Sequence, residues 1–527
     1  QPLPARPGPF RHFIRKVARQ RARRHFPRPP SPWALATPFG HPRLDGQLRA
    51  VQAVERGHPP GGDERTACDT AGSATQGAAR RSATGGGAVA QAATLKGSVR
   101  MQGRLTATAS GPSHRLPRSV RPVRYDLHLD ADPAQPGFTG TLSLALEATE
   151  PVREIRLHAK RLQLATARLE QDGRAQELEI LPDEAHEEVT LRAPAPLRPG
   201  PARLEVAYAG QVAHGMAGLY LSKDGAEACL ATQCEATDAR AIVPCLDEPD
   251  RKAVFALRVT APKGLTVLAN GAGVGRHDDG GHTTWTFAPT PPMPSYLLAL
   301  AVGAFAATDA VESRGVPFRV WALGGKHRLG GHGRDLAARM LPWYEDYFGQ
   351  PYAFGKYDQV AVPSFAFGAM ENAGLVVFRP SLLLLDPATA AWDERKDVAL
   401  VVAHELAHMW FGNLVTMAWW DDLWLNEAFA EWMAHRCVAA LHPDLDVWAR
   451  FHARAAGAMA TDALASTHPI YTPVETPAQA QELFDAITYG KGSATMRMLE
   501  QYLGEDAFRE GLRAHMARHR LGNATGV

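Results

Sequence analysis

"HELAHMWFGNLVTMAWWDDLWLNEAFAEW", residues 404–432, places two histidines and three glutamates in an apolar, tryptophan-rich stretch. Buried charge is costly unless it is paired or bound to a metal. The preceding "DVALVVA" continues into this stretch with the apolar spacing of a buried helix, for which Gly412 is the stop. His404 and His408 stand at i and i+4 and so share one helix face, where two imidazoles can hold one cation. Glu405 lies beside the first histidine, placed to act on a water rather than to bind the metal. The pattern is H-E-x-x-H, whose mechanism is zinc-assisted hydrolysis.

Catalytic zinc takes three protein ligands and keeps one position open. Glu427 follows His408 after eighteen intervening residues, on a second helix, "DDLWLNEAFAEWMAHRCVA", entered through Asp421 or Asp422. It is the expected third ligand of one zinc per chain. Glu431 is one turn further on the same face, where a carboxylate orients a ligating histidine; a salt bridge to Arg436 is its competing use. Chance would supply an H-E-x-x-H about 0.04 times in a chain of this composition, so a mere pair of core histidines is a poor account of it.

Working outward, the 527 residues are 45% apolar and 21% charged, enough for two or three domains with real cores. A formal net charge of +2 gives no global field for nucleic acid or an anionic membrane, and no nucleic-acid partner is expected. The longest apolar candidate, "SYLLALAVGAF", falls short of the roughly 18 residues of a membrane helix. Five cysteines, at 68, 229, 234, 245 and 437, contain no C-x-x-C and fit a reducing, cytoplasmic setting.

Residues 1–112 differ from the rest. Eleven Lys/Arg against one acid in the first fifty residues give way to a Gly/Ala-rich tract that cannot build a core. A targeting peptide and a nucleic-acid contact both fit that composition. The reading adopted is a disordered or non-native segment, with the native chain beginning near Met101, the first methionine. Residues 117–306 then alternate apolar and polar positions in short runs such as "YDLHLDAD", "GTLSLALEAT" and "VFALRVTAP", a β-rich domain of antiparallel strands. Over 307–527 the period changes. "HGRDLAARMLPWYEDYFG" is a helix stopping at Gly349. "DQVAVPSFAFGAMENAGLVVF" predicts two strands around a turn, and helices dominate from Glu394. The fold class is α+β, multidomain.

Three further stretches make the chain resemble the aminopeptidase N family of zinc peptidases. "FGAMENAG" carries Gly368, Ala369, Met370, Glu371 and Asn372, the exopeptidase motif of that family. "TQCEATDARAIVPCLDEP" (232–249) and "ITYGKGSATMRML" are similar to its amine-anchoring and catalytic-tyrosine segments. With "LPRSVRPVRYDLHL", the resemblance covers about 116–527. It implies a β-rich N-terminal domain followed by a thermolysin-like, mainly helical peptidase domain. It further implies that Glu371 and Glu235 hold a peptide's free ammonium with help from Gln233, and that Tyr489 stabilises the oxyanion. The substrates implied are peptides with a free N-terminus. The residues agree as far as they speak: Gly368 lets a substrate backbone approach closely, and Glu371 offers a carboxylate beyond it. Ala428 departs from the family, where glycine is commoner, and a methyl there should be tolerated. The resemblance also implies further helices and a C-terminal helical domain, so the chain reads as incomplete. The competing functions are a thermolysin-type endopeptidase, an epoxide hydrolase on the same site, and a non-catalytic interaction module.

Overall fold

The structure, a computed structural model, describes residues 114–526, so the basic and Gly/Ala-rich segment read at 1–112 lies outside the described residues. From Val120 the alternation read in the sequence is realised as pleat. In Val120–Asp130, Tyr125, Leu127 and Leu129 turn inward while Arg121, Val123 and Asp130 face out. This strand is central in an eight-stranded sheet. It pairs antiparallel with Gly137–Ala148 and parallel with Val254–Pro262, which follows only after one smaller sheet is complete and a second is half built. One of these has three strands; the other has four, in the order Thr266–Ala269, Leu300–Gly303, Glu227–Gln233, Gly218–Asp224.

The loop after Glu227–Gln233 is held by a satisfied buried polar network. Asp247 accepts from Arg240 Nε at 2.9 Å and from the Ser295 hydroxyl at 2.5 Å, and its own N–H donates to His158 Nδ1 at 3.2 Å. Burial, then the Arg240 charge, pushes His158 well below the usual range, so the ring stays neutral and able to accept. Such a network fixes a loop in one arrangement because every alternative leaves a buried charge unpaired.

A further sheet begins at Ala306–Ala307. Within "DQVAVPSFAFGAMENAGLVVF" the structure has three strands where the sequence predicts two around a turn. Tyr357–Ala361 lies parallel to Leu375–Phe378, and the short Ala369–Met370 pairs antiparallel on the outer side of the latter. The excursion between the parallel strands, Val362 to Gly374, makes the extra edge. A hairpin would instead have paired Tyr357–Ala361 antiparallel with Leu375–Phe378.

Seven α-helices follow among the described residues. Helix α1, Gly331–Phe348, ends at Gly349 in the left-handed region, φ 64°, as its sequence predicts. Helix α2, Trp392–His408, carries the H-E-x-x-H face. Helix α3, Trp424–Leu441, is not entered through a side-chain cap of Asp421 or Asp422. A 3₁₀ turn, Trp420–Asp422, precedes it, Asp421 accepts from Val474 N–H, and Asp422 accepts from Gly526 N–H. Those acids anchor distant chain, a use that no local pattern announces. Helices α4 (Val447–Asp462), α5 (Pro477–Glu482), α6 (Gly492–Leu503) and α7 (Glu505–His519) complete the set. The tryptophans are structural. Trp410, Trp420 and Trp432 are fully buried, and Trp410 packs on Tyr344 and Phe348 of α1.

One continuous apolar core runs from Leu116 to Ala524. Polar ties cross between the β-rich part and the helices. Lys252 Nζ donates to the carbonyls of Asn413 and Leu414, and Asn270 Nδ2 to that of Ala373. The loop carrying Glu235 is therefore registered against the strand edge and against the turn after α2.

Candidate metal centre and active site

Helix α2 presents His404 and His408 on one face, and α3 packs across it to bring Glu427 to them. His408 Nδ1 donates to the carbonyl of Phe411 at 2.9 Å, which leaves the Nε2 lone pair available. That Nε2 faces His404 Nε2 at 3.0 Å; Glu427 Oε2 stands 3.3 Å from the one and 3.4 Å from the other. Three ligands on a tetrahedral zinc at ordinary bond lengths stand about 3.4 Å apart. The triangle, its donor types and the absence of any good hydrogen bond to Glu427 Oε2 all fit a zinc ion.

The electrostatics agree. Burial works against charge on Glu427, but His408 and then His404 outweigh it and hold the carboxyl down to about 2. Burial likewise opposes charge on His408, yet Glu371 and Glu427 hold its proton up to about 9. Four buried carboxyl groups, Glu235, Glu371, Glu405 and Glu427, share the cleft with two imidazoles. Burial above all raises Glu235 and Glu371, so a bound cation would be what favours their ionised forms. Burial pushes Glu405 up to about 8, within reach of a base that works near neutrality.

Glu431 does not pair with Arg436, which binds Glu500 and Glu505 instead. One Glu431 oxygen faces His404 Nδ1 at 3.5 Å and the other takes the guanidinium of Arg454 on α4.

On the other side of the histidines lies the acidic end. Gln233 closes its strand and Glu235 follows in the loop; the Glu235–Ala236 peptide is cis. Glu371 comes from the turn after Ala369–Met370, its backbone carbonyl held by Asn413 Nδ2 at 2.8 Å. Carboxylate oxygens of Glu235, Glu371 and Glu427 lie within 4.8 Å of one another. Gln233 Oε1, Glu235 Oε1 and Glu371 Oε1 are buried acceptors that no protein donor reaches. Gly368, Ala369 and Met370 line the same cleft with a strand edge, while Asn372 does not; it is buried behind them, its carbonyl accepting from Leu375 N–H.

Tyr489 sits in a π turn, Ile487–Lys491, leading into α6. The turn is shaped by its sequence. Asp485 Oδ1 accepts from the N–H groups of Ile487 and Thr488, and a methyl at Gly490 would come within 2.8 Å of Ala458 Cβ. The phenol ring lies over His404, centroids 6.0 Å apart and planes at 20°. Burial, then the carboxylates of Glu427, Glu235 and Glu371, push its pKa well above 10, so it stays a proton donor. The family's glycine position, Ala428, is fully buried, and its methyl is accommodated because Gly492 opposite has none.

Sequence reasoning missed Asn413, Arg450, Arg454 and Asp397. Asn413 had a signal, standing one residue after Gly412, and so had Asp397, two turns before His404 on α2; the arginines had none, since α4 reaches the cleft only through packing.

Two family models match the chain: the peptidase M1 N-terminal domain over residues 121–297 and the peptidase family M1 domain over 333–527. The chain belongs to peptidase family M1. It is 38% identical over 424 residues to endoplasmic reticulum aminopeptidase 1 of Homo sapiens, covering 78% of this chain and 45% of that protein. It is 38% identical over 420 residues to puromycin-sensitive aminopeptidase of Caenorhabditis elegans, covering 78% and 44%. Aminopeptidase M1-C of Oryza sativa subsp. japonica is 38% identical over 415 residues, covering 78% and 47%. This M1 chain thus spans about half the length of the curated relatives it matches. Peptidases of this family are zinc metalloenzymes, in accord with the His404, His408, Glu427 triangle. Among the described residues no helix is long and apolar enough to cross a membrane.

Proposed function

We propose that the chain is a zinc-dependent aminopeptidase that removes the N-terminal residue from peptides, with one zinc held by His404, His408 and Glu427. The observation that carries this reading is the acidic end of the cleft. Three buried acceptor oxygens, on Gln233, Glu235 and Glu371, lack donors beside the histidine pair. A primary ammonium brings three N–H donors and a charge to match. Held there, it would let only the first peptide bond reach the metal side. A thermolysin-type endopeptidase would have to bury internal backbone against those acids, and no observation favours the epoxide hydrolase or the non-catalytic module.

The chemistry zinc supplies at such a site is polarisation of the scissile carbonyl and a water of lowered pKa. The chain's own residues do the rest. Gly368, Ala369 and Met370 offer a strand edge along which the substrate backbone aligns. Glu405 takes the proton of the attacking water and returns it to the departing amine. Tyr489 donates its hydroxyl proton to the developing oxyanion. Glu431 orients His404. Cytoplasmic residence belongs to the same proposal, supported by four buried free cysteines, 229, 234, 245 and 437. One relative is named for the endoplasmic reticulum, so family membership alone does not set the compartment.

The test offers one peptide in free and N-acetylated forms and identifies products by mass. Acetylation removes the charge and leaves buried carboxylates unpaired, costing about a thousandfold or more in kcat/KM. Comparable cleavage of both forms, or cuts at internal bonds, would reject the aminopeptidase reading and leave a zinc hydrolase.

A further inference from the structure

The cleft has a second charged end that the mechanism above does not use. The acids that would grip an ammonium lie on the His408 side, Glu371 standing 3.8 Å from that ring. On the His404 side the wall is made by Arg450 and Arg454, at i and i+4 on α4, paired with Asp397 of α2 and Glu431 of α3. Each pair uses the arginine's Nη1 nitrogen. The Nε–Nη2 edge of each fork remains, and that edge can bind a carboxylate through two parallel bonds. The Arg454 side chain is 56% exposed and that of Arg450 33%, so both are open to an arriving group. Their acids hold the forks in place and keep the local charge balanced, so recognition there rests on geometry more than on net charge.

Resting on the aminopeptidase reading, we propose that Arg454, assisted by Arg450, is a subsite for the free C-terminal carboxylate of short peptides, so that tri- and tetrapeptides are the preferred substrate class. The spacing sets the length. Glu431 bridges His404 Nδ1, 3.5 Å away, to Arg454, so the guanidinium lies no more than about 12 Å from His404 Nε2. That bound admits at most about three residues of extended chain. A tripeptide or tetrapeptide with its ammonium at Glu235 and Glu371 leaves two or three residues beyond the scissile bond, and its carboxylate arrives at the arginines. A long peptide has no charge to place there.

The experiment measures kcat/KM of the zinc-loaded full chain for one tripeptide and for its C-terminal amide. The ratio of the two is the readout, because a loss of folding or of metal scales both alike. The wild-type chain should favour the free carboxylate by about tenfold, mainly through KM. Arg454→Ala should bring the ratio near one, Arg450→Ala should lower it partway, and Arg454→Lys, which keeps charge but not the fork, should also lower it. A wild-type ratio near one, or a ratio unchanged in both Arg454 variants, overturns the subsite while leaving the aminopeptidase intact. Turnover of neither peptide takes down the aminopeptidase reading and the subsite with it.

Discussion

The imidazoles of His404 and His408 face each other Nε2 to Nε2 at 3.0 Å, and Glu427 Oε2 completes the triangle. Two imidazole nitrogens hold that separation through one shared proton or one shared cation. His408→Ala or Glu427→Ala leaves two ligands, so zinc content by elemental analysis should fall from one per chain along with activity. Full zinc in Glu427→Ala would remove Glu427 from the ligand set. The pH dependence follows from the proton that Glu371 and Glu427, outweighing burial, hold on His408 up to about 9. Zinc must displace that proton, so affinity in chelator competition should rise with pH between 6 and 8, and a flat profile would contradict it.

Glu405 is buried beside the triangle, and its Oε2 has no donor. Glu405→Gln keeps the volume and removes the proton acceptor. Zinc should remain bound while kcat falls by about two orders of magnitude or more. Loss of the metal in this variant would make Glu405 a ligand and overturn the assignment.

Tyr489→Phe removes one hydroxyl and leaves the ring over His404. An oxyanion donor is worth about 3 kcal/mol in the transition state, so kcat should drop about a hundredfold with KM little changed. Equal kcat in both proteins would return Tyr489 to a packing role.

The Tyr489 turn is set against α3 through Gly492, where a methyl would come within 2.6 Å of Ala428 Cβ. Gly492→Ala should destabilise the chain by about 1–3 kcal/mol through overpacking and lower kcat by moving the turn. Ala428→Gly in the same chain should restore both, a coupling that thermal melts and kinetics of the two single variants and the double variant would measure. Additive effects would mean that the two positions do not share this contact.

The His404, His408 and Glu427 group that could hold a metal was legible because its signal is local. Two ligands at i and i+4 share a face wherever the helix goes, and Glu427 lies near enough that two packed helices bring it back. The alternation over residues 117–306 announced strands in the same way, since the pleat is a property of each strand alone. Where pairing depends on other segments the sequence spoke less clearly. The three-stranded arrangement around Ala369–Met370 and the remote partners of Asp421 and Asp422 are decided by which backbone groups and voids lie opposite, and those belong to other parts of the chain.

The sequence by itself determined that His404 and His408 share one face with Glu405 beside the first, because a helix fixes the spacing of its own side chains, and it named Glu427 as the expected third ligand. Its likeness to a family pointed to Glu235, Glu371 and Tyr489; taken alone, Glu235 is one acid in an unremarked loop. Only the tertiary structure decided that a strand end near residue 233, a strand edge near 369, a π turn near 489 and the arginines of α4 close around that helix. Each is brought there by burial of apolar faces and by satisfied polar ties such as Asp247 to Arg240 and Asn413 to Glu371, contacts between residues far apart in the chain. A helix carries its geometry within itself, whereas a cleft exists only between elements, and so its two charged ends are properties of packing.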